Sequence, residues 1–215
     1  MPSTILHGYF RSSAAFRTRI ALNLKGVAYE QKSRHLRKGE QRAPDFLKLN
    51  PQGLVPALEI DGHVLTQSLA IIEYLDETRP EPPLLPKDPA GRARVRALAY
   101  AHAIEIHPIN NLRVLQDIAA RFGADDKAVA GWFRHWVMET FGPVEKMLAN
   151  DKATGRFSHG DTPTLADICL VPQVVNNARF DVDMTPYPTI NRIHQACLEL
   201  PVFANAMPAK QPNAE

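Results

Sequence analysis

The run from Arg79 to Pro89 reads RPEPPLLPKDP and carries five prolines. Each proline fixes φ and removes a backbone donor, so no helix interior or central strand passes through this stretch, and a spacer this rich in proline is stiff. The chain is therefore expected to fold as two bodies, residues 1–80 and 90–215, joined by residues 81–89. Its length of 215 residues agrees, because one core commonly serves about 100 to 150 residues.

The two bodies carry different periodicities. In the first, an apolar run at Thr4 to Tyr9 predicts a strand, and the pattern that ends near Gly26 predicts a helix. AYEQKSRHL then alternates as a second strand does. Ala57 to Ile60 and His63 to Thr66 flank the turn pair Asp61-Gly62 and read as a hairpin. A helix follows from Gln67 or Ser68 to about Glu77, with Ala70, Ile71, Tyr74 and Leu75 on one face. The order β-α-β, then β-β-α, is that of a thioredoxin-like α/β domain with a mixed four-stranded sheet. Beyond the linker the pattern is helical: from Ala90 to about Phe122, from Asp125 to Asn150, and from Leu165 onward, with loops at Gly123 and at SHGDTPT. The second domain is expected to be all-α. In it, Thr164 and Asp167 have capping-box spacing, a structural role.

Charge and cysteine content exclude several classes. The formal net charge of +2 offers no field for nucleic acid, and the basic run from Arg34 to Arg42 reads as a solvated surface. Cys169 and Cys197, the two cysteines, belong to no C-x-x-C pair and to no zinc-spaced cluster. A reducing cytoplasm is expected. No basic flank followed by an apolar segment opens the chain, and no run of eighteen apolar residues suggests a membrane span.

Chemistry concentrates in the first domain. In YFRSSAAFRTRIALNLKG, Ser12 and Ser13 stand where a helix begins, with Arg11 before them. A serine there caps the helix, worth roughly 1 kcal/mol; the same helix start also suits an anion such as a carboxylate or thiolate. Val55-Pro56 precedes a strand, and a cis bond there would turn the Val55 N–H and C=O outward to pair with a peptide as an added strand. Gln67-Ser68 sets an amide and a hydroxyl at a second helix start. A short peptide carrying a carboxylate and a thiol would satisfy all three places.

These residues carry a resemblance. YFRSSAAFRTRIALNLKGVAYE, LNPQGLVPALEIDGHVLTQSLAIIEYLDE, IHPINNLRVL and GDTPTLADICLVPQV occur in the order, and over the length, of a zeta-class glutathione transferase, the class of the maleylacetoacetate and maleylpyruvate isomerases. The resemblance implies glutathione as cofactor, with Ser12 hydrogen-bonded to its sulfur, Ser13 beside it, and Val55, before Pro56, paired with the cysteinyl backbone. It implies that Gln67 and Ser68 hold the γ-glutamyl carboxylate, and names His35, Gln52 and His107 as looser contacts. Arg11 and Arg179 are implied for substrate, with Asn110, Asn111 and Arg113 lining the helical side. The i, i+4 spacing of His107 and Asn111 would put both on one helix face. Read from spacing alone, Arg179 forms a surface ion pair with Asp181 or Asp183; the resemblance reverses that order.

The implied reaction is cis–trans isomerisation of a small maleyl dicarboxylate. A thiolate adds to the conjugated double bond, the resulting single bond rotates, and elimination returns glutathione unchanged; arginines hold the two carboxylates. One position departs from the class. Ala14 stands where a cysteine or threonine is usual, which favours the alternative of a ligand-binding protein with little turnover, while Arg11, Ser12 and Arg179 together argue against it. General glutathione transfer to haloacids, or peroxide reduction, would use the same activated sulfur. The polar run HPINN with Arg113 tilts the choice toward maleylpyruvate, and the class implies a homodimer.

Overall fold

The computed structural model describes residues 4–215. The chain divides into two compact units, one running to Pro83 and also containing Leu200–Glu215, the other Leu84–Glu199.

The first unit is built on a four-stranded sheet of β1 (Ile5–Gly8), β2 (Glu30–Ser33), β3 (Ala57–Ile60) and β4 (His63–Thr66), in the order β2-β1-β3-β4. β1 pairs parallel with β2 and antiparallel with β3, and β3 with β4 closes the hairpin about Asp61-Gly62. The mixed sheet and the helical remainder are thus as the periodicities predict. The helix α1 (Ser13–Leu24) links β1 to β2, and α3 (Ser68–Thr78) follows β4. Leu6, Phe16, Ile20, Leu58, Ile71 and Leu75 form the core between sheet and helices. A short α2 (Pro44–Leu49), absent from the sequence reading, buries Phe46.

The helix α1 is buried on nearly every side, its two arginines included. Arg19, fully buried, donates from Nε to the Ala206 carbonyl at 3.0 Å and from Nη2 to the Phe10 carbonyl at 3.1 Å. Burial pushes its guanidinium down to about 10, partly offset by Tyr29, so it stays charged at neutral pH. Asn23 likewise donates to the Val202 carbonyl, and Asn213 joins Gln31 and Ser33 on β2. The sequence reading put all of residues 90–215 in the helical domain. These bonds instead fasten the last segment, with α10 (Pro201–Ala204), to the first unit, α10 against α1 and Asn213 against two side chains of the edge strand β2.

The second unit contains α4 (Pro89–Tyr100), α5 (His107–Ile109), α6 (Leu112–Phe122), α7 (Asp126–Ala149), α8 (Leu165–Asn177) and α9 (Pro188–Leu198). The helix α8 is buried along almost its whole length, packed against α4 and α9. The continuous helix expected from Ala90 to Phe122 is broken. A π turn at Ala101–Ile106 follows α4, and Asn111 adopts extended backbone to cap α6. The capping box forms: Thr164 donates from N and Oγ1 to Asp167 Oδ2 at 2.8 and 3.0 Å, and Ser158 N donates to Oδ1 at 2.8 Å. Burial pushes the Asp167 carboxyl up, against the pull of these bonds.

Candidate active site

Three helix and strand starts on the first unit hold the residues singled out from the sequence. At the first, Ser12 caps α1: its backbone is extended, at φ −69° and ψ 117°, and its Oγ accepts from Ala15 N at 3.2 Å. The hydroxyl proton is not consumed by this, because the cap uses only an oxygen lone pair. Capping and anion binding are therefore compatible in one side chain. Gly8 lets β1 approach α1, since a Cβ there would lie 3.1 Å from the Ala15 Cβ. Arg11, half-buried with its guanidinium 4.9 Å from the Phe10 ring centroid, pairs with no carboxylate among the described residues. The Ser13 side chain is buried and makes no hydrogen bond among them, and Ala14 is buried beside it.

The second place is the loop before β3. The Val55-Pro56 bond is cis, and Val55 N–H and C=O have no hydrogen-bond partner among the described residues. Asn50, which the sequence reading missed, holds this loop. Its side chain is nearly fully buried, donates to the Leu54 carbonyl at 2.7 Å and accepts from Gln52 N at 3.1 Å. The signal was available: an asparagine before a proline is a common turn former.

The third is the start of α3. Gln67 has φ 67°, a left-handed conformation unusual for a residue other than glycine, and contributes no side-chain cap. Its Nε2 donates instead to Gln52 Oε1 at 2.9 Å, so two of the expected residues meet. Ser68, next along, is buried and accepts from Arg17. The residues present fit a thiol peptide: an uncapped helix start for a carboxylate, an unpaired backbone for a peptide, and a hydroxyl proton for sulfur.

His35 does not fit as well. Its Nδ1 accepts from Lys38 N at 3.3 Å, which leaves the proton on Nε2, and Nε2 donates to Glu215 Oε1 at 3.0 Å. Both ring nitrogens are engaged, so neither is left for glutathione in this arrangement.

On the second unit, the expected helix face of His107 and Asn111 does not exist, because the chain leaves helical backbone between them. His107 opens α5, half-buried. Asn110 is buried and donates to the Phe133 carbonyl at 3.2 Å, and Asn111 Oδ1 accepts from Arg113 N. These two asparagines serve the backbone. Arg113 is exposed and its guanidinium makes no hydrogen bond among the described residues. Phe133 stacks on Phe180 with centroids 3.8 Å apart, and Arg179 lies over the other ring at 5.7 Å. α7 therefore brings the Asn110 region and Arg179 into one neighbourhood. Arg179 donates to Asn176 Oδ1 at 3.0 Å, and Asp183 accepts from Thr185 N and Oγ1. Among the described residues no cluster suits a metal ion, and no helix is long and apolar enough to cross a membrane.

The glutathione S-transferase N-terminal domain family matches residues 2–77. The maleylpyruvate isomerase of a Ralstonia species is 52% identical over 209 residues, spanning 97% of this chain and 99% of that protein. The maleylacetoacetate isomerase of Rhizobium meliloti is 50% identical over 95% of this chain and 96% of its own. Among solved structures, a holo maleyl pyruvate isomerase, a bacterial zeta-class enzyme, superposes with a TM-score of 0.97 at 51% identity, over 98% of this chain and 100% of that one. A maleylacetoacetate isomerase from Methylobacterium extorquens, with malonate and glutathione bound, superposes with a TM-score of 0.94 at 44% identity, over 98% and 99%. A chain with this mixed sheet, this cis-proline loop and these two helix starts, related over its whole length to such proteins, belongs to the zeta class of the glutathione transferases.

Proposed function

We propose that this protein is a glutathione-dependent cis–trans isomerase of maleyl keto acids, converting maleylpyruvate or maleylacetoacetate to the fumaryl isomer, with glutathione transfer as a side activity. The observation that carries the reading is Ser12, a cap whose hydroxyl proton is left over at the positive end of α1, beside the unpaired Arg11.

Glutathione bound here supplies a nucleophilic thiol whose reversible addition to the conjugated double bond frees rotation about it. Ser12 donates its hydroxyl proton toward the sulfur, and the start of α1 favours negative charge there, which together lower the thiol pKa. Val55 pairs its N–H and C=O with the peptide backbone, ahead of Pro56. Gln67 and Ser68 hold the γ-glutamyl carboxylate, with Gln52 oriented by Gln67. Ser13 and His107 stand as further contacts. Arg11, Arg113 and Arg179 are cations for the substrate carboxylates, and guanidinium suits them by its bidentate geometry.

Ala14 favours a second reading, a glutathione-binding protein with little turnover. The deciding experiment follows the ultraviolet absorbance of maleylpyruvate and of maleylacetoacetate with and without glutathione. Turnover that requires glutathione without consuming it is expected for both acids, and their kcat/KM ratio ranks them. Binding of glutathione without turnover of either acid overturns the isomerase in favour of the binding protein. Arg179→Ala is expected to raise the KM for the keto acid roughly tenfold or more while glutathione affinity stays near wild type. We also propose a cytoplasmic homodimer: Val64 on the edge strand β4 is an exposed apolar residue suited to such a contact, and sedimentation at equilibrium tests the dimer.

A further inference from the structure

We infer that Arg17 is a positioning residue that turns the Ser68 hydroxyl outward as a donor for the ligand carboxylate at the start of α3. This rests on the reading of Gln67 and Ser68 as the place where the γ-glutamyl carboxylate of glutathione is held. Arg17 lies within α1 at 3% exposure, Ser68 at 6%. Arg17 Nη1 donates to Ser68 Oγ at 3.0 Å.

A guanidinium has donors only, and a hydroxyl has one proton and two acceptor lone pairs. With a lone pair of Ser68 turned to Arg17, its O–H points away from the guanidinium. Among the described residues that proton has no acceptor, although the side chain is buried. The helix behind it has no side-chain cap from Gln67 and no acidic residue in its first turn. One hydroxyl proton, the first N–H groups of α3 and a buried cation thus all favour the same ligand chemistry, a carboxylate. A serine that only began a helix would leave its proton to water. Here the arginine selects one hydroxyl orientation before the ligand arrives, which removes an ordering cost from binding.

The test uses the full-length enzyme and two peptides. One is glutathione; the other replaces its γ-glutamyl residue with 4-aminobutyryl, identical except for the missing carboxylate. Dissociation constants are read by calorimetry. Arg17→Met is expected to weaken glutathione binding about tenfold, the worth of a charge-assisted contact, and to leave the shortened peptide unchanged. In a Ser68→Ala background the same substitution is expected to have a smaller effect, because no hydroxyl remains to orient. Arg17→Lys, which keeps the charge and a donor, recovers part of the loss. Equal weakening of both peptides, or strict additivity with Ser68→Ala, overturns the inference. If Arg17→Met does not fold, Arg17→Lys and Arg17→Gln are compared on the two peptides with the same criterion. Ser68→Ala that fails to discriminate the peptides overturns the parent reading of α3 as well. Ser68→Ala that discriminates them while the Arg17 variants do not overturns the role of Arg17 alone.

Discussion

At the scale of single residues, the first domain makes side chains serve two purposes without conflict, because a hydroxyl can accept and donate at once. Ser12 accepts from Ala15 N and keeps its proton. Ser12→Ala should therefore lower kcat/KM by roughly ten- to hundredfold, the value of a hydrogen bond to a charged group, with a stability loss near 1 kcal/mol from the missing cap. Ser13→Ala should cost less in rate, since Ser13 caps nothing; steady-state rates and urea midpoints of the two variants check this, and equal small losses of rate contradict the assignment. Ser12, Val55 and Ser68 were legible in the sequence because each follows from a local rule, a helix start or an X-Pro bond. Arg17 was not, because its bond to Ser68 is one that only the fold creates; Asn50, before Pro51, carried a local turn signal that the reading passed over.

At the scale of elements, boundaries were read well where a chemical stop exists. The hairpin residues about Asp61-Gly62 pair as expected, and Thr164 starts α8. The capping box there is predicted to be a stability device: Asp167→Asn should cost about 3 kcal/mol, since its new NH2 meets N–H and O–H donors in a buried place. Urea unfolding measures the loss, and KM for glutathione should not move. The reading failed where apolar periodicity runs on across a break. Residues 101–111 look continuous with α4, yet the chain forms a π turn and then spends Asn111 as a cap. An asparagine in a polar run does not announce whether it will line a site or start a helix.

At the scale of the whole molecule, stability should fall on mild acidification. His194 is half-buried on α9, and desolvation lowers its pKa below the usual histidine value. The folded state thus binds fewer protons than the unfolded chain once pH drops through the unfolded value of about 6.5. The stability it contributes is full above that pH and is lost below it. His194→Gln should flatten the decline, and midpoints of urea unfolding at neutral and mildly acid pH will show it; unchanged pH dependence would assign the acid limb elsewhere. The two fold classes and the residues at helix starts were readable from local sequence, because they depend on backbone chemistry and on periods of a few residues. That Leu200–Glu215 rejoins the first unit, that Asn110 serves a carbonyl of α7 and that Arg17 meets Ser68 follow from packing. Each of those is a contact between residues far apart in the chain, and a buried donor takes whichever acceptor the packed fold brings within reach.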